Sequence, residues 1–205
     1  MTHGITEIDR LKHEMRLAQR KQRAVLFKTA PAAIYVMAAR HFIENIEIPS
    51  GGVVAGYWPL NDEFDSRPLL ESIAAEGGRL ALPVIAGDSG RLIFREWLPG
   101  APLVPAGFGT LGPRESAREV LPDVIIAPLL AFDRRGYRLG YGGGFYDRSL
   151  TALRASGKCQ YAAGLGFAAQ RVQQVPAGLD DARLDAVVTE TGVIRARMAG
   201  GPDGG

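Results

Sequence analysis

The segment Arg138-Leu-Gly-Tyr-Gly-Gly-Gly-Phe-Tyr-Asp-Arg148 joins an apolar run to an amphipathic stretch. The run before it, residues 124–127, is short and continuously apolar, which is typical of a central strand. The stretch from about residue 145 to residue 154 has the spacing of a helix. A strand, a glycine-rich loop and a helix in this order predict an α/β fold, with the loop at the start of the helix.

The glycines of this loop predict an anion-binding site. Gly140, Gly142, Gly143 and Gly144 permit positive φ and close approach of the backbone, so successive N–H groups can converge on phosphate oxygens. The loop is not a Walker A motif, because no Gly-Lys-Ser/Thr follows, and Phe145 stands where G-x-G-x-x-G needs its third glycine. A tight connection without a ligand is the alternative that the loop alone leaves open.

Charged residues around the loop favour a nucleotide. Arg138 and Arg148 flank the glycines and can add positive charge to a polyphosphate site. Asp147, in the first helical turn, can hold Mg²⁺ or simply interact with the helix dipole. Asp185 directly precedes an apolar strand, so we expect it to supply the second carboxylate if the two elements are neighbours.

The alternation of strands and helices continues on both sides of this segment. Further strands are predicted at residues 53–57, 80–84, 92–97, 160–165 and 186–189, and further helices at residues 6–28, 32–43 and 68–76. This pattern predicts a three-layer α/β domain over residues 1–197, with a largely parallel central sheet and helices on both faces. Residues 198–205 are expected to form a flexible tail.

The first predicted helix carries two stripes. Its apolar residues are expected to pack inward: Ile8, Leu11, Met15, Ala18, Val25 and Leu26. Its basic residues lie on another arc of the helix: Lys12, Arg16, Arg20 and Arg23. The basic stripe predicts either an anion clamp or an ordinary solvated flank.

Composition restricts the function classes. The chain has 205 residues, and 24 basic against 22 acidic residues leave a formal net charge of +2, which argues against a general nucleic-acid binder. Cys159 is the single cysteine, so an intrachain disulfide and a stapled secreted scaffold are excluded. The apolar runs fall short of the roughly 20 residues of a membrane span. We therefore expect a cytoplasmic enzyme without a nucleic-acid, membrane or obligate protein partner.

Together with shorter motifs, the glycine loop resembles the 5-formyltetrahydrofolate cyclo-ligase family, also called methenyltetrahydrofolate synthetase. The motifs occur in the family's order and span nearly the whole chain apart from its tail: Lys12 with Arg16, Tyr57-Trp-Pro-Leu-Asn-Asp-Glu-Phe-Asp65, Gly107-Phe-Gly-Thr-Leu111, Arg138 to Arg148, Gly164-Leu-Gly-Phe-Ala-Ala-Gln170 and Leu184-Asp-Ala-Val-Val-Thr-Glu190. The loop segment is specific, whereas each short piece alone is a weak signal.

The resemblance implies an ATP- and Mg²⁺-dependent conversion of 5-formyltetrahydrofolate, free or polyglutamylated, to 5,10-methenyltetrahydrofolate with release of ADP and phosphate. In the family's mechanism the formyl oxygen attacks the γ-phosphate, N10 attacks the resulting N5-iminium phosphate, and phosphate leaves. No enzyme nucleophile is required. This agrees with a sequence that shows no obvious Ser-His-Asp or Cys-His constellation, because phosphoryl transfer is catalysed mainly by positioning and charge neutralisation.

The same resemblance implies roles for individual residues. Lys12 and Arg16 would contact the ATP phosphates, and Asp147 and Asp185 would hold Mg²⁺. The nucleotide loop would consist of Arg138, Leu139, Gly140, Tyr141, Gly142, Gly143, Gly144, Phe145 and Tyr146, with Arg138, Tyr146 and Asp147 as the catalytic groups. The folate would meet Trp58, Glu63, Phe145 and Tyr146. Without the family pattern, Trp58 would suit a core position and Glu63 a solvated loop.

Two departures from the family pattern and two rival functions stay open at this level. Gly143 stands where some members have a lysine, and Asp180-Asp181 replaces a common His-Asp pair. One rival is a sugar-phosphate isomerase or acyl-CoA-type transferase on a related α/β scaffold. The other is a non-catalytic sensor of nucleotide or folate.

Overall fold

Parallel strands form the centre of an eight-stranded sheet in the computed structural model, which describes residues 6–85 and 90–197. The strands in chain order are β1 Val53–Ala55, β2 Arg79–Ile85, β3 Leu92–Trp97, β4 Val104–Pro105, β5 Leu111–Gly112, β6 Glu119–Val120, β7 Val124–Pro128, β8 Ala131–Phe132, β9 Arg138–Leu139, β10 Tyr161–Leu165, β11 Ala186–Thr189 and β12 Gly192–Arg195. The helices are α1 Glu7–Thr29, α2 Ala33–Asn45, α3 Arg67–Ala75 and α4 Phe145–Ala155.

The sheet order is β12-β11-β10-β7-β1-β2-β3-β6. The five strands from β11 to β2 are parallel, whereas β12, β3 and β6 pair antiparallel at the edges. Strand β3 reverses direction because the six residues after β2 are too few for a parallel crossover, which needs about a dozen. The predicted α/β class with a largely parallel sheet is confirmed.

Alternate residues of the central strands bury opposite faces of the sheet. Val54 packs in a cluster with α2 and α3, while its neighbours Val53 and Ala55 pack in a second cluster with Leu150 and Leu153 of α4. Both faces are therefore covered by helices, as a parallel sheet requires. On the continuity of this sheet we propose that residues 1–197 form one domain; the tail predicted at residues 198–205 lies outside the described residues.

Local signals fix where two helices begin. Thr6 caps α1 through a capping box, since its hydroxyl accepts the Asp9 N–H at 3.2 Å and the Asp9 carboxylate accepts the Thr6 N–H at 3.2 Å. Pro68 occupies the first turn of α3, and Asp65 accepts the Arg67 N–H at 3.0 Å. Among the described residues no helix is both long enough and apolar enough to cross a membrane.

Helix α1 is covered where Lys12, Arg16 and Arg23 lie, so the prediction that its apolar face packs inward is wrong for most of that face. Ile8, Leu11 and Val25 are exposed, Val25 to 62%, whereas Arg23 is buried. The helix lies over the carboxyl ends of the parallel strands, where polar loops meet it. Of the predicted apolar stripe, Met15 and Leu26 keep contact with the core.

The segment between β1 and α3 is held by two hydrogen bonds across its base. The Tyr57 hydroxyl donates to the Phe64 carbonyl at 2.6 Å, and the Ser66 hydroxyl donates to the Tyr57 carbonyl at 2.5 Å. All three residues are buried. These bonds fix the loop that carries Trp58 and Glu63.

Tyr57→Phe should lower the free energy of unfolding by about 1–3 kcal/mol, because it leaves the buried Phe64 carbonyl without its donor. Urea denaturation measures the change. Tyr137→Phe is the control, since the Tyr137 hydroxyl makes no hydrogen bond among residues 6–85 and 90–197. Equal stability of the wild type and Tyr57→Phe would show that this bond does not hold the loop.

Candidate active site

A cavity of about 440 Å³ opens at the carboxyl edge of the parallel strands, where Trp58 follows β1, Ile85 ends β2 and Pro128 ends β7. This is the edge at which parallel α/β sheets bind ligands, and the volume is that of a small-molecule site. The residues around the cavity are Lys12, Arg16, Tyr57, Trp58, Leu60, Glu63, Pro83, Ile85, Leu92, Phe108, Thr110, Leu111, Pro128, Arg138 and the loop that follows it to Asp147, and Asp181.

The cavity brings together almost all residues that the sequence assigned to ATP and folate. Lys12 and Arg16 come from α1, Trp58 and Glu63 from the β1–α3 segment, and the remainder from the glycine loop and the start of α4. Asp185 is the exception. The structure thus places the predicted site residues, and the roles assigned to them stay predictions.

The glycine loop turns directly into α4. Gly142 and Gly144 have φ of 107° and 67°, which side chains rarely adopt, and Gly144 is the N-cap of α4. The amides of the first helical turn have no partner within the helix, and the helix dipole favours negative charge there. The loop can therefore bind an anion through its backbone.

Lys12 and Arg16 tie α1 to two distant segments. The Lys12 ammonium donates to both Asp181 oxygens, at 2.6 and 2.5 Å, and the Gly178 N–H donates to the same carboxylate at 2.6 Å. Arg16 Nε donates to the Gly140 carbonyl at 2.9 Å. Burial lowers the pKa of Arg16, but a guanidinium stays protonated at neutral pH.

Arg138 and Asp147 form an ion pair at 3.1 Å on the cavity wall. The Arg138 side chain is 3% exposed, and it also donates to the Ala182 carbonyl at 3.1 Å. Asp147 Oδ1 makes the ion pair and accepts the Ala182 N–H at 3.1 Å. Both residues thus hold the segment that contains Asp181 against the start of α4.

Glu63 is an acid buried in a wall that is otherwise aromatic and apolar. It is 5% exposed, and its Oε2 accepts the Leu60 N–H at 2.8 Å. Burial raises the pKa of the Glu63 carboxyl. Burial, followed by the negative charge of Glu63, also raises the pKa of both Tyr141 and Tyr146, so these phenols are neutral hydrogen-bond donors.

Asp185 does not meet Asp147, so the predicted pair of metal ligands is wrong. Asp185 accepts hydrogen bonds from Arg154 at 2.6 Å and from the Ala162 N–H at 2.7 Å. Arg154 lies in the last turn of α4 and Asp147 in the first, and seven helical residues span about 10 Å. Asp185 precedes β11 and therefore lies at the amino ends of the parallel strands, on the opposite edge of the sheet.

The cavity also contains residues that the sequence did not assign, among them Asp181, Phe108 and Tyr57. Asp181 lines the cavity beside Asp147, whereas its neighbour Asp180 is exposed. Phe108 has φ of 49°, is 77% exposed, and sets its ring edge-on to Phe145 at 5.3 Å. Tyr57 also lines the cavity. The Asp180-Asp181 pair and the Gly107-Phe-Gly motif can both be recognised in the sequence. The sequence does not show, however, which of the two aspartates lines the cavity.

Comparisons with known proteins agree with this geometry. A family model described as the 5-formyltetrahydrofolate cyclo-ligase family matches residues 9–190. The chain is 35% identical to the 5-formyltetrahydrofolate cyclo-ligase of Escherichia coli K12, over 85% of this chain and 97% of the relative. The relative of that name in Haemophilus influenzae is 31% identical, over 80% and 90%. The solved structure of Aquifex aeolicus 5,10-methenyltetrahydrofolate synthetase is similar with a TM-score of 0.76 and 27% identity, over 95% of this chain and 97% of that one.

Asp185→Asn should lower the free energy of unfolding by about 0.5–1 kcal/mol, because the amide oxygen can still accept from Arg154 and from the Ala162 N–H but the negative charge that pairs with the partly exposed Arg154 is lost. Its effect on Mg²⁺ dependence should be nil. Thermal unfolding and a Mg²⁺ titration of activity measure the two effects. A raised Mg²⁺ requirement at unchanged stability would instead show that Asp185 contributes to metal binding.

Proposed function

The chain belongs to the 5-formyltetrahydrofolate cyclo-ligase family and is an ATP-dependent ligase, and we propose that it closes 5-formyltetrahydrofolate to 5,10-methenyltetrahydrofolate in the cavity between α1 and the glycine loop. The observation that carries the proposal is that two chemically different walls share one cavity. One wall carries Lys12, Arg16 and Arg138, two of them paired with acids, together with backbone donors, and the other is aromatic with a single buried acid. A triphosphate suits the first wall and a pterin suits the second.

ATP would bind along the cationic wall. The start of α4 offers free amides, and Arg16 lies against the loop through its bond to Gly140. Lys12 and Arg138 line the same cavity, and each is paired with an acid there, so they would bind phosphate oxygens once a cation takes up Asp181 and Asp147. Because Gly143 supplies no lysine, the backbone amides, Arg138 and the α1 cations would neutralise the charge that spreads over the γ-phosphate oxygens.

Folate would bind along the aromatic wall. Trp58 is half-buried and packs edge-on against Trp97 at 5.7 Å, which gives the pocket a rigid aromatic surface. Glu63 offers a carboxylate for the N–H donors of the pterin. Phe145 and Tyr146, the last residues of the nucleotide loop, also line the cavity and would contact both substrates.

Mg²⁺ would be held by Asp147 and Asp181, the two carboxylates beside the glycine loop. No group of three or more histidine, cysteine or acidic side chains able to hold a metal occurs in the part of the chain that the structure describes. This fits Mg²⁺, which binds through one or two carboxylates together with substrate phosphates and waters rather than in an all-protein cage. When bound, the ion would supply charge neutralisation at the phosphates.

The reaction then needs placement rather than an enzyme nucleophile. The formyl oxygen attacks the γ-phosphorus, the bond to ADP breaks, and an N5-iminium phosphate forms. N10 attacks the iminium carbon and loses its proton, after which phosphate leaves with the C–O electron pair. Arg138 and the loop amides would bind the transferring phosphoryl group, and the neutral Tyr146 phenol would donate a hydrogen bond near the formyl oxygen.

We further propose a cytoplasmic location, supported by a buried lone Cys159 that no disulfide uses and by the dependence on ATP. Polyglutamylated folates are included among the proposed substrates. No nucleic-acid, membrane or obligate protein partner is proposed, since the formal net charge is only +2.

Purified full-length protein with Mg²⁺, ATP and 5-formyltetrahydrofolate should develop the absorbance of methenyltetrahydrofolate, with one ADP formed per product. Omission of ATP should abolish the signal, because ring closure depends on phosphoryl transfer. A flat trace from folded protein would reject the proposed function. Turnover of a phosphosugar without ATP would favour the isomerase alternative.

Asp147→Asn should raise the Mg²⁺ concentration needed for half-maximal rate about tenfold or more, because one anionic metal contact is lost. Binding of Mn²⁺ in the presence of a non-hydrolysable ATP analogue measures the same contact without turnover. Asp181→Asn should act in the same direction, and Asp185→Asn is the matched control. Unchanged metal affinity in Asp147→Asn would remove Asp147 from the metal site.

A further inference from the structure

Arg23 is the buried residue of α1, and it lies outside the cavity. Its two terminal nitrogens reach different segments: Nη1 donates to the Tyr141 hydroxyl and Nη2 to the Asp62 carboxylate. Its guanidinium also lies 5.2 Å from the centre of the Tyr141 ring. One side chain thus joins the first helix to the glycine loop and to the segment after β1.

Both partners of Arg23 lie in segments that line the cavity. Tyr141 is a cavity residue of the glycine loop, and Asp62 precedes the cavity residue Glu63. The proposed nucleotide wall and the proposed folate wall are therefore connected behind the cavity by a single guanidinium. Lys12 and Arg16, the other two inward-facing cations of α1, contact the loop before β11 and the glycine loop but not the folate segment.

The burial of Arg23 is costly for stability. Its side chain is 3% exposed and its Nε has no hydrogen-bond partner among the described residues. One turn earlier on the same face, Gln19 Oε1 is likewise buried without a partner in this part of the chain. A well-packed apolar residue at such a position is often as stable or more stable than a buried ion pair. A geometric role explains why a guanidinium with two fixed donors stands here.

The positive charge of Arg23 affects the ionisation of Glu63 on the proposed folate wall. Burial raises the pKa of the Glu63 carboxyl, while the hydrogen bond from the Leu60 N–H, the nearby Tyr141 phenol and the positive charge of Arg23 oppose that rise. Arg23 therefore favours the ionised form of the acid that would bind the pterin. Tyr141 connects the two groups, since its hydroxyl accepts from Arg23 and interacts with Glu63.

We propose that Arg23 is a positioning residue, which through Tyr141 and Asp62 fixes the glycine loop against the Glu63 segment and so sets the separation between the two substrates. The proposal builds on the proposed function, because the separation matters for the attack of the formyl oxygen on the γ-phosphorus. A misplacement of about 1 Å at such a distance from the chemistry can cost a factor of about 100 in rate.

Hydrogen exchange of the substrate-free protein tests the connection without any turnover. In Arg23→Gln the amides of the glycine loop and of residues 60–63 should both exchange faster, while α2, α3 and the central strands keep their protection. Arg10→Gln is the control, since Arg10 lies on the same helix and is exposed with Glu14 as its partner. Unchanged exchange in either segment would overturn the proposal, as would faster exchange throughout the protein.

Steady-state kinetics test the consequence for the reaction. Arg23→Gln should lower kcat about 10–100-fold, while the dissociation constant of the ATP analogue, measured alone, changes by about threefold at most. Arg23→Lys keeps the positive charge, but its single side-chain nitrogen cannot reach both Tyr141 and Asp62 as the two guanidinium nitrogens do. It should therefore restore little of kcat. A purely structural role would lower the active fraction and the melting temperature and leave the kcat of the folded fraction unchanged, which would refute the positioning role.

Tyr141→Phe keeps the experiment decisive if Arg23→Gln does not fold. This variant removes only the hydroxyl that Arg23 donates to, so the exchange of the glycine loop should increase and the combined loss with Arg23→Lys should be less than additive. Additive losses would overturn the proposal. If the wild type itself gives no cyclisation, the proposed function fails, and the exchange data still decide whether Arg23 joins the two segments.

Discussion

The docking of α1 by its cations is the interaction on which the site depends. Lys12, Arg16 and Arg23 bind groups that lie 169, 124 and 39 residues away in the chain, respectively an acid, a carbonyl and a second acid. An apolar face would bury α1 in the sheet layers and leave the cavity open on one side. Because polar groups hold the helix instead, the same side chains both fix it in place and line, or support, the cavity.

The direction of the strands explains which residues can cooperate. Parallel strands bring their carboxyl ends to one edge, and so Trp58, Ile85 and Pro128 meet there although they are far apart in sequence. A residue that precedes a strand of the same sheet is kept at the other edge. Asp185 obeys this rule and pairs with the end of α4, whereas Asp181, four residues earlier, reaches back to Lys12.

Much of the fold could be predicted because local patterns decide it. The glycine loop before Phe145, the apolar run of β7 and the Thr6 start of α1 are short-range signals that tertiary contacts do not override. The orientation of α1 could not be predicted, because the spacing of its apolar residues gives no information about Asp62 and Asp181, the distant acids that pair with its cations. The edge at which Asp185 lies could be predicted, since a residue that precedes a parallel strand lies at the edge opposite the ligand site, whereas its pairing with Arg154 could not. The edge strand β12 and the short β4–β5 hairpin were not predicted, because their residues show no strong apolar pattern.

The charges around the cavity add a last constraint on the chemistry. Three basic side chains line it, Lys12, Arg16 and Arg138, and three acidic ones oppose them, Glu63, Asp147 and Asp181. Lys12 is already paired with Asp181 and Arg138 with Asp147. Side chains alone therefore leave almost no net positive charge for a triphosphate, and the loop amides and the α4 dipole supply only partial charges. A divalent cation at Asp147 and Asp181 would supply the missing positive charge. It would neutralise the two acids and leave Lys12 and Arg138 free to bind phosphate oxygens.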